Sequence, residues 1–170
     1  NIEMNKYFSV SLSVYQNDDS DNFEAAFLSI INQTLVPSEI VLVIDGPIPI
    51  KTRKIISDFK LNYKFLKVID LKQNQGHGNA RRLGLNKCTN EIVALMDSDD
   101  ISVHNRFELQ FNFLLNNPEV SLVGGQIEEF IELNDIEKNS GYYRICIKYY
   151  HKFLNIKKQE EQIVEMLKHN

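Results

Sequence analysis

Short apolar runs of strand length alternate along this chain with stripes at helical spacing, and that alternation narrows the fold more than any single residue does. Phe8-Ser9-Val10-Ser11-Leu12-Ser13-Val14 alternates apolar and small polar residues as a strand does, and a polar loop from Tyr15 to Asp21 follows it. With Asp21 or Asn22 as N-cap, Phe23, Ala26, Phe27, Ile30 and Ile31 recur at the spacing of an amphipathic helix, and Pro37 follows its end. Glu39 to Ile44 is a second apolar strand that stops at the breaker cluster Asp45-Gly46-Pro47. Thr52 to Phe59 reads as a short helix, Phe65 to Ile69 as a third strand and Asn79 to Lys87 as a helix. Ile92 to Met96 is a fourth strand, and Asn105 to Asn116 a helix with Phe107, Phe111, Leu114 and Leu115 on its core side. Val120 to Val123 is expected to form a fifth strand that turns through Gly124-Gly125 into Ile127-Glu128-Glu129-Phe130. The pattern degrades from Asn134 to His151, and Ile156 to Lys168 closes the chain with a helix carrying Ile163, Val164 and Leu167. Such alternation predicts an α/β domain with a parallel, doubly wound sheet whose ligand lies outside the carboxyl ends of the strands.

Composition excludes several functions. A chain of 170 residues with 43% hydrophobic content suits one domain with a real core. Its 19 basic against 23 acidic residues, a formal charge of −4, give no electrostatic footprint for nucleic acid. Lys148, Lys152, Lys157 and Lys158 stand among aromatics, which suits peripheral contact with an anionic membrane surface but more commonly marks a solvated face. Cys88 and Cys146 lie far apart without metal-ligand spacing, so free thiols in a reducing compartment are expected. No apolar run approaches the roughly 20 residues of a membrane span and no apolar signal core opens the sequence, which predicts a cytoplasmic protein.

The chemistry concentrates at strand ends. The fourth strand delivers Asp97-Ser98-Asp99-Asp100, three carboxylates in four residues, to the rim of the sheet. In a parallel sheet the first strand adds Ser13 and Tyr15 to the same rim, and the second adds Asp45. Bare carboxylates would repel a diphosphate, and a divalent cation between them removes the conflict; an all-oxygen ligand set favours Mg²⁺ or Mn²⁺. Arg81 and Arg82 could add guanidinium contacts to phosphate or carboxylate. Each piece has a plainer role: Asp99 or Asp100 capping a helix that begins near Ser102, Asp45-Gly46 as a turn, Arg81 as a surface residue. His77 and His104 lack partners at ligand spacing, and Gly76-His77-Gly78 lacks the third glycine of a dinucleotide fingerprint.

Taken in order, these residues resemble the family 2 glycosyltransferases of the GT-A, Rossmann-like nucleotide-sugar-binding fold. The resemblance rests on Val10-Ser11-Leu12-Ser13-Val14-Tyr15, Ser29-Ile30-Ile31-Asn32-Gln33-Thr34, Val41-Leu42-Val43-Ile44-Asp45-Gly46, Asn74-Gln75-Gly76, Ala80-Arg81-Arg82-Leu83-Gly84 and Asp97-Ser98-Asp99-Asp100. Arg106-Phe107-Glu108 and Val123-Gly124-Gly125 are similar to the bacterial polysaccharide-biosynthesis branch, so the likeness covers roughly residues 8 to 130.

The resemblance implies that Ser13, Val14 and Tyr15 line a nucleotide pocket, that Asp45 hydrogen-bonds the base, typically uracil, and that Arg81 contacts the nucleotide. Asp97, Ser98 and Asp99 would meet the donor as its DxD motif, with Asp99 the direct ligand of Mn²⁺ or Mg²⁺ and Asp97 nearer the ribose or a metal-bound water. It implies metal-dependent, inverting transfer of a sugar from a UDP-sugar to a glycan or lipid-linked acceptor, at the inner face of the membrane. Inversion needs a base opposite the leaving group. That base lies in the later half of such domains; Glu128 and Glu129 match a structural turn instead, and the base stays unassigned. On this likeness residues 1–170 are expected to form a single donor-binding domain cut short on its acceptor side, so a donor-binding fragment without transferase activity is an alternative. An aspartyl-phosphate-type phosphatase is a weaker one, because its Asp-x-Asp signature belongs on a first strand.

Overall fold

The computed structural model describes residues 7–127, and the expectations placed on Glu128, Glu129, Cys146, the late lysines and the final helix lie outside them. The strands are β1 (Ser9–Val14), β2 (Glu39–Ile44), β3 (Leu66–Asp70) and β4 (Val93–Leu95). The helices are α1 (Ser20–Ile31), α2 (Ile50–Asn62), α3 (His77–Lys87) and α4 (Arg106–Asn116), so strand and helix alternate throughout. All pairings are parallel, in the order β3-β2-β1-β4, with Val14 opposite Ile44 and Ser11 opposite Leu95.

The two faces of the sheet are covered differently. Val10, Leu12, Val14, Ile40, Leu42 and Ile44 join Phe23, Phe27 and Ile30 of α1, Ile56 and Phe59 of α2, and Phe107 and Phe111 of α4 in one core. Phe27 and Phe59 stack at 4.0 Å, fastening α1 to α2, while Phe8 meets Phe107 edge-on at 5.3 Å. The intervening residues Ser9 and Ser11 are small, and α3 comes close to that face through Gly84. A β-carbon on Gly84 would lie 2.5 Å from the Ser11 hydroxyl and 3.4 Å from Val43. The alternation of serine with large apolar residues in β1 thus encodes a thick core on one side and a close helix contact on the other.

Two of the differences from expectation have identifiable reasons. Asp19, not Asp21 or Asn22, caps α1: its Oδ1 accepts the amides of Asp21 and Asn22 at 2.8 and 3.0 Å. Those two bonds hold its carboxyl below the usual range. Val120 to Val123 forms no strand. The Val120 amide instead donates to the Asn117 carbonyl at 2.9 Å in the turn that ends α4, and an apolar run without a ladder partner is not a strand. Among the described residues no helix is long and apolar enough to cross a membrane.

At the amino-terminal edge of the sheet a buried carboxylate ties three strands together. Glu39, 4% exposed, accepts from the Ser9 hydroxyl, the Lys67 ammonium, the Thr89 amide (2.8 Å) and the Thr89 hydroxyl (3.1 Å). Asn90 extends the network to Ser9 and Ser38. Burial alone would raise the Glu39 carboxyl, but the bonds from Lys67, Ser9 and Thr89 outweigh it and hold the group at about 2. Since the folded carboxyl binds its proton less readily than the unfolded one, its stabilisation is complete above pH 4.5 and is lost as pH falls toward 2. We expect Glu39→Gln to lower unfolding free energy at pH 7 by roughly 3 kcal/mol. In urea titrations the wild type should also lose more stability than this variant between pH 6 and about pH 3.

Candidate functional site

Parallel pairing brings three strand ends to one rim, and a cavity of about 460 Å³ opens there. Ser13, Val14, Tyr15, Asp45, Asp97, Ser98 and Asp99 line it, together with Asp18, Asn74, Gly76 and His77. Seven residues given a site role from sequence therefore share one wall with four that were given none. Asp18 sits in what read only as a polar loop, and Gly76 and His77 in a glycine pattern too weak to interpret alone.

Asp45 stands at the end of β2, where its amide continues the ladder to the Val14 carbonyl at 2.8 Å. Its side chain is 3% exposed, and Oδ1 accepts the Gln75 amide at 2.7 Å. Oδ2 accepts no bond among the described residues. A buried carboxylate oxygen in that state favours an N–H or O–H donor arriving through the cavity. The loop that carries Asp45 is tightly built: Asn74 Nδ2 donates to the Asp45 carbonyl at 3.2 Å, and Asn74 Oδ1 accepts the Gly76 amide at 3.0 Å. The same loop presses on Gly46, which has φ of +87°.

The acidic turn fans its side chains in different directions. Asp97 pairs with the Arg81 guanidinium from α3, so Arg81 meets the site through Asp97 and is absent from the cavity lining. Ser98 is buried and turns toward the loop after β1, where its hydroxyl donates to Asp18 Oδ2 at 2.8 Å. Asp99 is exposed at the cavity wall. The Asp100 carboxyl is pushed up, first by partial desolvation and then by the charges of Asp97 and Asp99. Neither Asp99 nor Asp100 caps a helix at Ser102: α4 begins at Arg106 after Asn105. Residues 101–105 are instead pinned from α1 and the turn after it, the Gln33 side-chain amide donating to the Val103 carbonyl at 2.8 Å and the Ser29 hydroxyl accepting the Ser102 amide at 3.0 Å.

Arg106 supports this turn from behind. Its guanidinium donates to the Leu95 carbonyl (3.0 Å), the Met96 sulfur (2.7 Å) and the Ser102 hydroxyl (2.9 Å). Burial lowers its pKa, opposed by the charges of Asp100 and Asp97. The cation thus balances part of the acidic turn and fixes the end of β4. Asp97 follows β4 and not β1, where the aspartyl-phosphate signature belongs, and this weighs against such a mechanism.

Among the described residues no group of three or more His, Cys, Asp or Glu side chains could hold a metal by itself. The donor set still fits a hard cation of the Mg²⁺ kind, which typically takes one or two carboxylates and completes its shell with water and substrate phosphates. Asp99, exposed and facing the cavity, is the carboxylate placed to do so.

A parallel sheet clad by helices on both faces, with its cavity outside the carboxyl ends of the strands, defines a GT-A fold. Solved structures agree: S. aureus TarS superposes with a TM-score of 0.57 at 22% identity, covering 72% of this chain and 23% of that one. A TarS 1–349 structure in complex with UDP gives the same TM-score of 0.57 at 23% identity, covering 74% of this chain and 40% of the other. The chain belongs to glycosyl transferase family 2, whose family model matches residues 9–167. Among curated relatives, the amylovoran biosynthesis glycosyltransferase AmsE of Erwinia amylovora is 40% identical over 125 residues, 74% of this chain and 47% of that protein. The UDP-Gal:alpha-D-GlcNAc-diphosphoundecaprenol beta-1,3-galactosyltransferase of Escherichia coli is 34% identical over 131 residues, 77% of this chain and 47% of that protein. The chain thus spans about half the length of these relatives.

The glycines of the site provide a direct check on how it is built. A β-carbon at Gly46 would meet the Asn74 amide at 2.5 Å in a left-handed backbone, whereas one at Gly78 would meet nothing within 4 Å. We expect Gly46→Ala to destabilise the domain by about 2 kcal/mol or more, and Gly78→Ala to be neutral or slightly stabilising, both read by urea unfolding.

Proposed function

We propose that the cavity binds the nucleotide diphosphate of a sugar donor, with UDP as its nucleotide, and that the whole protein transfers the sugar to a glycan or lipid-linked acceptor with inversion. The observation that carries this reading is Asp45, a buried carboxylate with one oxygen unpartnered among the described residues, on the same cavity wall as the acidic turn. Such a wall offers an acceptor for one ring N–H, as in the imide of uracil, and a cation-binding carboxylate for the diphosphate. Membership of glycosyl transferase family 2 and the likeness to a relative named for a UDP-linked donor and a diphosphoundecaprenol-linked acceptor support the same assignment. A reducing, cytoplasmic setting suits the free, half-buried Cys88 thiol, and peripheral membrane contact suits a lipid-linked acceptor.

In this reading each residue has a limited task. Asp45 orients the base by accepting its N–H, and the exposed Tyr15 ring flanks the nucleotide beside Ser13 and Val14. Asp99 would hold Mn²⁺ or Mg²⁺, which when bound offsets the charge that builds on the departing diphosphate. Arg81 pairs with Asp97 and holds it aimed across the rim, where it can accept from a ribose hydroxyl or a metal-bound water. The acceptor hydroxyl must lose its proton as it attacks in line, and none of the residues that line the cavity is assigned that role.

Titration of UDP by calorimetry tests the proposal. With Mn²⁺ present, Asp45→Ala should weaken binding about tenfold to a hundredfold, the span expected when a charged hydrogen-bond acceptor is removed. Asp99→Ala should abolish the gain from Mn²⁺ while leaving metal-free binding in place. UDP binding that ignores the metal and survives both changes would overturn the assignment.

A further inference from the structure

Asp18 belongs to no motif, yet it joins the two segments that form the floor of the cavity. Its Oδ2 accepts the Tyr15 amide at 2.9 Å, and the Asp18 amide returns a bond to the Tyr15 carbonyl at 3.2 Å, so the loop after β1 closes on itself. The same Oδ2 accepts the Ser98 hydroxyl at 2.8 Å from the far side of the rim. Ser98 is the middle residue of the acidic turn and 8% exposed. Its flanking carboxylates have different fates: Asp97 is held by Arg81, but Asp99 has no bond among the described residues that sets its direction. Once Ser98 is drawn toward the loop after β1, the backbone leaves Asp99 pointing into the cavity.

We propose that Asp18 is a positioning residue that latches the Tyr15 loop to the acidic turn and so fixes Asp99 toward a cation on the donor's diphosphate. This rests on the donor reading given above. The latch acts through one accepting oxygen and does not require the charge of Asp18. That distinguishes it from a metal ligand, because asparagine supplies the same acceptor without the charge.

UDP titrations with and without Mn²⁺, on the full chain, separate these roles. For Asp18→Ala and Ser98→Ala we expect the Mn²⁺ concentration needed for half-maximal enhancement of UDP binding to rise about tenfold, a larger change than any in metal-free UDP affinity. The double variant should be no worse than the weaker single one, since both break the bond between Ser98 and Asp18. Asp18→Asn should stay within about twofold of wild type. Equal weakening with and without Mn²⁺, additive single effects, or a loss of metal response in Asp18→Asn would each overturn the positioning role. Wild-type protein that responds to Mn²⁺ beside variants that match it defeats the latch alone; wild-type protein that binds no UDP defeats the donor reading and the latch with it. If Asp18→Ala fails to fold by circular dichroism, Ser98→Ala and Asp18→Asn decide the matter.

Discussion

In a parallel sheet neighbouring strands end on the same side, and β1 runs parallel to both β2 and β4. Everything at the rim follows from that shared direction. With Val14 opposite Ile44 and Ser11 opposite Leu95, Asp45 emerges one residue past the end of β1, and Asp97 falls level with Ser13. A slip of one residue in either pairing would exchange the faces of a whole strand. It would expose Leu12 or Leu42 and turn the rim carboxylates into the core. The burial of those side chains, at about 1.5–3 kcal/mol each, therefore holds the register that assembles the cavity.

The two ends of the sheet handle charge in opposite ways. At the amino-terminal edge Glu39 is surrounded by donors from Ser9, Lys67 and Thr89, so the buried anion is fully compensated and serves to fix the strands. The Glu39 charge is felt by its neighbour Cys88: burial, then that charge, pushes the Cys88 thiol up. At the carboxyl edge compensation is incomplete. Asp97 has Arg81 and the acidic turn has Arg106 behind it, but Asp99 and the second oxygen of Asp45 face the cavity without a described partner. Donors are withheld at the end of the molecule where a ligand would supply them.

Much of this is legible in the sequence because it depends on local pattern. Buried strands appear as short apolar runs, and the carboxylate that ends such a run must lie at an edge, so the residue order alone puts Asp45 and Asp97 on a rim. Contacts that span the sequence are not legible. Glu39 reads as the polar start of a strand, and its partners Ser9 and Thr89 stand 30 and 50 residues away. Arg106 is recognisable as the start of a helix, but its grip on Leu95 and Met96 depends on how the chain returns from the acidic turn. Val120 to Val123 shows the reverse error, since strand propensity cannot reveal whether a ladder partner exists.

Asp18 shows why a rim residue can escape both pattern and motif. Its position in a polar stretch with Asp19 and Asp21 invites the reading of a helix-capping cluster, and Asp19 does take the cap. Only the folded chain reveals that the neighbouring carboxylate faces the other way and meets a serine 80 residues distant. The division is economical in physical terms. The loop after β1 must turn sharply to start α1, and a carboxylate that closes this turn on the Tyr15 amide lies within reach of the strand next door. The hydrogen bond that shapes the loop and the one that orients the acidic turn therefore share a single oxygen, so changes in either segment are felt by the other.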